Sequence, residues 1–233
     1  MTGKLYAMGT GPGASDLITV RAAKILGQID VVYAPAAKKE GESLALSIVR
    51  EYISSDTKVK ERHFPMTSKL EEKEQAWQEV VNEIEMDVAQ GNQVAFISLG
   101  DVMLYSTWIN VLERLSDTSK VEIIPGITSF AAIAAQTARP LAMETQSLAV
   151  LPCTMPIDVL EQSLQQYSCL VLMKVFNRFT QIKQLIEKNG LMAHAVLVSD
   201  ASLTTEKRYF NLSEVDENQK LSYFSTILIN KNY

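Results

Sequence analysis

Cysteine and histidine are scarce in this chain. Its 233 residues include two cysteines and two histidines. Cys153 and Cys169 lie in apolar, strand-like stretches without the spacing of a metal site, so we interpret them as structural thiols. His63 and His194 are far apart in the sequence. The sequence therefore implies no bound metal, and so sparse a use of cysteine is typical of a reducing compartment.

Long apolar runs and an excess of basic charge are also missing. No apolar segment approaches the length that crosses a membrane, and glycines interrupt the N-terminal segment too early for a signal peptide. The formal net charge of −5 argues against a general nucleic-acid binder, but it leaves room for a local basic pocket that takes an acidic small molecule. We therefore expect a cytoplasmic protein with no membrane and no nucleic-acid partner.

The familiar catalytic motifs are absent as well. The sequence contains no nucleophile elbow, no Walker loop and no zinc signature. Its composition, 47% apolar and 21% charged, is that of an ordinary globular protein with one large or two modest domains. Function therefore has to be inferred from the turns that join the predicted strands and helices.

Strands that alternate with helices in the first half predict βαβ units and a parallel sheet, and hence an α/β fold. Thr19 and Ser43 are typical N-caps, and Pro35 is expected to stop the second strand. The clearest helix covers residues 71–90, and a further helix carries Trp108. The predicted strands cover residues 4–8, 30–34, 93–99 and 121–124.

The second half predicts a mixed sheet. No helix separates its last two strands, so we expect those two to pair antiparallel. The predicted strands cover residues 147–151, 169–175, 193–198, 207–211 and 224–229. The predicted helices cover residues 127–138, 157–166 and 178–188.

These patterns predict two α/β domains. The N-terminal domain covers residues 1–120 and has a mostly parallel sheet. A linker helix region covers residues 121–145, and a C-terminal domain with the mixed sheet covers residues 146–233.

The first glycine-rich turn is similar to a dinucleotide-binding fingerprint. Gly9, Gly11 and Ala14 satisfy the relaxed pattern directly after a strand. However, Pro12 removes a backbone N–H where a pyrophosphate would need one, and no acidic residue follows the second strand to hold a ribose. A glycine loop that lines a cleft is the better interpretation, with a purely structural turn as the alternative.

Two further turns follow buried strands. Gly100 lets a ligand approach the backbone at the carboxyl end of a strand, and Asp101 adds the one charge of that turn. Thr128 and Ser129 begin a helix, where hydroxyl and backbone N–H groups favour a carboxylate or another polar ligand. The alternatives are structural: Asp101 as the cap of an ordinary loop, and Thr128 or Ser129 as a simple N-cap.

Together the three turns carry a family resemblance that covers essentially the whole chain. Residues 9–26 (GTGPGASDLITVRAAKIL), 100–107 (GDVMLYST) and 121–135 (VEIIPGITSFAAIAA) resemble the tetrapyrrole (corrin/porphyrin) methyltransferase family. Members of that family are two-domain α/β proteins, usually homodimers, that bind S-adenosylmethionine in a cleft between the domains.

Within the family, residues 33–52, 64–66 and 148–152, together with GDVMLYST, are most similar to the branch that methylates C-20 of precorrin-2 or cobalt-factor II in cobalamin biosynthesis. The implied reaction is in-line transfer of the sulfonium methyl group to the C-20 meso carbon, followed by loss of the proton on that carbon. Because the donor is already activated, alignment alone could lower the barrier by roughly 7–11 kcal/mol, which agrees with the missing catalytic motifs.

The resemblance also implies which residues form the site. The cofactor would contact Pro12, Gly100, Asp101, Met103, Leu104, Thr128, Ser129, Met173 and Ala201. Asp101 and Tyr105 would position the reacting groups. The substrate has many carboxylates, so basic side chains at loop or strand ends are expected to bind it, namely Arg21, Lys38, Lys39 and Lys174.

The sequence departs from the family pattern in three places. Val102 stands where the family commonly has proline, which predicts a less rigid turn, and Ser202 stands where glycine is frequent. Many members have an acidic residue directly after the first glycine loop, where this chain has Ala14, Ser15 and Asp16. Three other functions stay open: methylation at another macrocycle carbon, action on a modified translation factor or ribosomal RNA, and a non-catalytic sensor of S-adenosylmethionine. The net negative charge makes the RNA function the least favoured of these.

Overall fold

A computed structural model describes residues 3–36, 43–64 and 70–233. The chain divides into two compact units, Met1–Thr128 (the first unit) and Ser129–Tyr233 (the second unit). This division falls within residues 121–145, so the strand of that segment belongs to the first unit and its helix to the second. In the described part of the chain, no helix is both long enough and apolar enough to cross a membrane.

The first unit is built on a five-stranded sheet in the order β3-β2-β4-β1-β5, and every strand pair in it is parallel, as predicted. Its strands are β1 (Lys4–Gly9), β2 (Val31–Ala36), β3 (Lys58–His63), β4 (Gln93–Ser98) and β5 (Val121–Ile124). Its helices are α1 (Val20–Leu26), α2 (Leu44–Val49), α3 (Leu70–Ala89) and α4 (Thr107–Leu112).

Apolar side chains cover both faces of this sheet. On one face, Trp77 of α3 and Trp108 of α4 pack in one cluster with Phe96 of β4. On the other face, Leu26 of α1 and Leu46 of α2 pack in a second cluster. Because helices bury both faces, the central strands are continuous apolar runs in the sequence.

A buried polar cluster joins α3 to the sheet. Lys60 Nζ on β3 donates to Asp87 Oδ2 on α3 (2.6 Å) and to the hydroxyl of Tyr33 on β2 (2.9 Å). The Tyr33 hydroxyl in turn donates to the same carboxylate oxygen (2.5 Å). Burial and the hydrogen bond to Asp87 raise the pKa of Tyr33 far above its ordinary value. Each group is paired, which makes the burial of these charges tolerable.

Three local predictions for the first unit differ from the structure. Strand β3 was not predicted, because its sequence KVKERH is charged and only its pairing with β2 and α3 makes it a strand. Pro35 does not stop β2, since β2 pairs with β4 only from Val31 to Tyr33 and continues to Ala36 beside β3 alone. Thr19 caps α1 as predicted, whereas the Ser43 hydroxyl makes no cap hydrogen bond.

The second unit is built on a five-stranded mixed sheet in the order β6-β7-β10-β8-β9. The pair β6–β7 is parallel, and the other pairs are antiparallel. Its strands are β6 (Leu148–Pro152), β7 (Cys169–Met173), β8 (Ala195–Ser199), β9 (Lys207–Tyr209) and β10 (Ser225–Asn230). Its helices are α5 (Ser129–Thr137), α6 (Ile157–Gln166) and α7 (Phe179–Lys188).

Helices cover both faces of the second sheet as well. Leu160 of α6 and Ile182 of α7 pack on one face, and Ile133 of α5 packs on the other. The predicted antiparallel pairing of the last two strands is wrong, because β10 inserts between β7 and β8 and leaves β9 on the edge beside β8. Between β7 and β8, strand β10 pairs on both sides and is buried. In a hairpin with the short, exposed β9, it would pair on one side only.

We predict that removing Lys60 alone destabilises the first unit more than removing Lys60 and Asp87 together. Lys60→Met should lower the free energy of unfolding of the first unit by about 3 kcal/mol, because it leaves the Asp87 carboxylate buried without its cation. The double variant Lys60→Met/Asp87→Leu should recover most of this loss. Urea unfolding followed by tryptophan fluorescence measures both, since Trp77 and Trp108 both lie in the first unit.

The matched control is Lys58→Met, which removes an exposed lysine from the same strand. It should change the free energy of unfolding by less than about 0.5 kcal/mol. Equal losses for Lys58→Met and Lys60→Met would contradict the proposed role of the cluster.

Candidate functional site

The carboxyl ends of three adjacent strands of the first unit meet in close backbone contact. Strand β1 lies between β4 and β5, so the turns after these strands are neighbours. A Cβ added to Gly126 would lie 2.1 Å from the carbonyl oxygen of Gly100. A Cβ added to Gly9 would lie 2.6 Å from the Cα of Gly126. Only glycine fits at Gly9 and Gly126, because backbone atoms occupy the space of a side chain.

Backbone hydrogen bonds join the first two turns. Gly100 N donates to the Gly11 carbonyl (2.7 Å), and Gly11 N donates to the Gly100 carbonyl (3.2 Å). Both residues have left-handed backbone angles, with φ of 82° at Gly11 and 70° at Gly100, which glycine adopts at little cost. The first two turns are therefore joined to each other by main-chain hydrogen bonds.

Asp101 joins the second turn to the third. Its Oδ1 accepts the N–H of Met103 (2.9 Å), and its Oδ2 accepts the N–H of Gly126 (2.8 Å). The bond to Met103 is the local cap that is expected if Asp101 has only a structural role. The bond to Gly126 instead reaches a residue 25 positions further along the chain. The carboxylate is thus a fixed bridge between two backbone segments.

The surface above these turns is open at one point. A Cβ added to Gly100 would meet no atom within 4 Å, in contrast to Gly9 and Gly126. Pro12 is buried beside it in the first turn. The hydroxyl of Thr10 is fully buried and has no hydrogen-bond partner among the described residues. An open glycine and an unsatisfied buried hydroxyl are features of a ligand-binding loop.

The second turn also holds an exposed, strained aromatic residue. Tyr105 is 43% exposed and has a φ of 49°, a left-handed conformation that costs a bulky residue about 1–3 kcal/mol. The next residue, Ser106, caps α4 by accepting the N–H of Trp108 (3.1 Å), and its hydroxyl bonds to that of Ser98 (2.8 Å). Ser98 and Thr10 were not predicted as site residues, because strand ends carry no motif of their own.

Val102, in place of the family's proline, is fully buried in the aromatic cluster that contains Phe96 and Trp108. Met103 is 46% exposed, and Leu104 is half-buried. The buried side chain of Val102 therefore anchors the turn to the core, and Met103 lies on the surface of the turn.

In the second unit, the structure brings Met173 and Ala201 onto one edge and one face of the sheet. Met173 ends β7, and Ala201 follows β8, which runs in the same direction as β7 on the other side of β10. Both pack in one cluster with Ile133 of α5. Ser129, the first residue of α5, belongs to this unit, whereas Thr128 is the last residue of the first unit.

Backbone strain is concentrated at this edge. Lys174, Asp200 and Ser202 have left-handed φ angles of 59°, 53° and 64°. Such residues persist where the surrounding structure holds them, and they cluster at binding sites. Here Gln136 Nε2 of α5 donates to the Ser202 hydroxyl (2.8 Å), and Glu206 Oε2 accepts the Ser202 N–H (2.5 Å). The departure from glycine at Ser202 is thus compensated by two hydrogen bonds.

Of the four predicted substrate-binding cations, the structure describes Arg21 in the first unit and Lys174 in the second. Arg21 on α1 forms an ion pair with Glu122 of the edge strand β5, which also binds Lys4. Hydrogen bonds from both cations lower the pKa of Glu122, with that of Lys4 the larger cause. Lys174 lies at the strained edge of the second unit. Lys38 and Lys39 lie outside the described residues.

Each of the two α/β units places its candidate ligand-binding features at the carboxyl ends of strands, which is where open α/β folds bind small molecules. The chain matches the family described as Tetrapyrrole (Corrin/Porphyrin) Methylases over residues 4–216. It therefore belongs to this family, as its three turns indicated.

Two relatives of similar length are named for methylation at C-20. The chain is 54% identical over 233 residues to the cobalt-precorrin-2 C(20)-methyltransferase of Salmonella typhimurium. This match covers 100% of this chain and 98% of the relative. It is 28% identical to the precorrin-2 C(20)-methyltransferase of a Sinorhizobium species, over 97% of this chain and 95% of the relative.

Solved structures confirm the fold. The chain is similar to a cobalt precorrin-4 methyltransferase, with a TM-score of 0.74 at 22% identity over 97% of this chain and 94% of that one. It is also similar to a uroporphyrin-III C-methyl transferase from Thermus thermophilus, solved in complex with S-adenosyl homocysteine, with a TM-score of 0.69 at 18% identity over 98% and 92% of the two chains.

We predict different outcomes for alanine at two glycines of the site. Gly126→Ala should lower the free energy of unfolding by about 3 kcal/mol, since its Cβ collides with the Gly100 carbonyl. Gly100→Ala should lower it by only about 1–2 kcal/mol, because its Cβ enters open space and only the left-handed backbone is penalised. Urea unfolding measures both values, and similar losses for the two variants would contradict the packing described above.

Proposed function

We propose that this chain transfers a methyl group from S-adenosylmethionine to C-20 of cobalt-precorrin-2 in cobalamin biosynthesis. The observation that carries the proposal is 54% identity over the whole chain to a relative named for this reaction. That relative is named for the cobalt-containing substrate, so we favour this macrocycle over the metal-free one. The whole-chain match also favours C-20 over the other macrocycle positions and over a non-catalytic sensor.

The residues of the first unit fit the proposed cofactor. Gly100 offers open space at its Cα, Thr10 has an unsatisfied buried hydroxyl, and Pro12 is buried in the adjacent turn. We propose that Pro12, Gly100, Met103 and Leu104 contact the cofactor from the first unit. Thr128, Ser129, Met173 and Ala201 would complete the set, with the last two lining the adenosine pocket.

When bound, S-adenosylmethionine supplies a methyl group on a sulfonium centre. The task of the chain is to hold C-20 in line with the bond that breaks, and proximity of this kind is worth roughly 7–11 kcal/mol. We assign Asp101 a positioning role, because both of its carboxylate oxygens already accept backbone N–H groups. Tyr105 is proposed to orient the macrocycle, since it is exposed and held in a strained conformation. Once the new carbon–carbon bond has formed, C-20 would release its proton to solvent.

We also propose that Arg21, Lys174, Lys38 and Lys39 attract the carboxylates of the macrocycle, because a polycarboxylate needs local positive charge on a chain with net charge −5. The family resemblance further supports a homodimer.

The decisive experiment is a methyl-transfer assay with cobalt-precorrin-2 and metal-free precorrin-2, with mass spectrometry and NMR of the product. We expect one methyl group at C-20, faster transfer to the cobalt form, and one equivalent of S-adenosylhomocysteine. Gly100→Ala should abolish detectable cofactor binding in calorimetry while the chain stays folded. Methylation at another carbon, or no transfer by a wild-type chain that binds the cofactor, would contradict the proposal.

Salt dependence tests the electrostatic part of the proposal. The affinity for the macrocycle should fall as ionic strength rises, and the double charge reversal Lys38→Glu/Lys39→Glu should weaken it further, with cofactor affinity unchanged. Fluorescence titration of the macrocycle at several salt concentrations measures this effect. Affinity that is independent of salt would show that charge does not steer the substrate.

A further inference from the structure

A cluster of three aromatic rings lies at the strained edge of the second sheet. The rings of Phe176 and Tyr223 contact edge to face with centroids 5.0 Å apart, and those of Tyr223 and Phe224 do so at 5.1 Å. Tyr223 is 44% exposed and Phe224 is 41% exposed. Two exposed rings buttressed by a third form a preorganised surface for a planar partner, since aromatic faces prefer such contacts.

The register of β10 places this cluster beside the ends of β7 and β8. Thr226 of β10 is opposite Met173, and Ser225 is opposite Ser199. The ladder continues one residue further, because Asp200 N donates to the Phe224 carbonyl (3.1 Å). Phe224 therefore lies between the ends of the two strands that carry Met173 and Ala201.

Phe224 lies in the turn directly before β10, at the same edge of the sheet as Met173 and Ala201. Leu228 of β10 packs in one cluster with Met173 and Ala201, on the side of the sheet that α5 covers.

An acidic side chain lies beside this turn. Asp200, whose N–H bonds to the Phe224 carbonyl, has a carboxylate that accepts hydrogen bonds from the hydroxyls of Ser222 and Thr205. A neutral nucleobase can stack beside this carboxylate without charge repulsion.

We infer that Phe224, supported by Tyr223 and Phe176, is the stacking platform for the adenine ring of the cofactor. This inference rests on the proposed function, which assigns Met173 and Ala201 to the adenosine pocket. It adds a specificity-determining residue, in the turn directly before β10, that selects a planar base.

The test is calorimetric titration of the full-length chain with S-adenosylhomocysteine. Phe224→Leu should weaken binding about ten-fold, the order of effect that base–aromatic stacking has in other proteins. Phe224→Trp should retain affinity within a few-fold, because it restores an aromatic face. The control is Phe210→Leu, which removes a 51% exposed ring of the same unit outside the cluster and should bind as the wild type does.

Three outcomes would overturn the inference. Wild-type affinity in Phe224→Leu would show that the ring does not contact the base. Weaker binding of the macrocycle with unchanged binding of S-adenosylhomocysteine would assign the ring to the substrate instead. Failure of the wild-type chain to bind S-adenosylhomocysteine would overturn the proposed function together with this inference, whereas the first two outcomes leave the proposed function intact.

Discussion

Close backbone packing of Gly9, Gly100 and Gly126 is the constraint on which the first unit depends. The Gly100 carbonyl occupies the space that a side chain on Gly126 would need, so three strand ends approach more closely than side chains would allow. Main-chain bonds between Gly11 and Gly100 then fix the first two turns, and the Asp101 carboxylate satisfies the Gly126 N–H in the third. The result is a rigid surface of main-chain atoms at the carboxyl ends of three strands, and the sheet determines its shape.

Such a surface suits a reaction that needs alignment more than acid–base chemistry. A methyl sulfonium is already reactive, so a site can act by holding two molecules in register, provided that it does not move. The groups that would ordinarily be sought as catalysts are used here for rigidity: Asp101 bridges two turns, and the Ser98–Ser106 hydroxyl pair supports the start of α4. In the second unit, the strained residues Asp200 and Ser202 are held by hydrogen bonds in the same manner.

The sequence was sufficient for the α/β class, the parallel and mixed sheets and the family, because apolar periodicity and glycine spacing are local signals. The sequence was insufficient wherever contacts with another strand or helix determine the local structure. Strand β3 is charged, and Lys60 can be buried in it only because Tyr33 of β2 and Asp87 of α3 accept its hydrogen bonds. The position of β10 between β7 and β8 is likewise a property of the whole sheet. For the site, the sequence identified the turns, but the bond from Asp101 to Gly126 joins residues 25 positions apart and required the fold.

Val102 links the evolution of the candidate site to that of the hydrophobic core in this chain. Val102 inserts its aliphatic side chain into the same aromatic cluster as Phe96 and Trp108. The geometry of the turn therefore depends on the packing of the interior. A change of volume at Trp108 would be transmitted to Gly100 and Asp101 without any contact to a ligand. Substitutions in the core and substitutions in the site are therefore not independent, and core residues far from the chemistry carry an epistatic constraint.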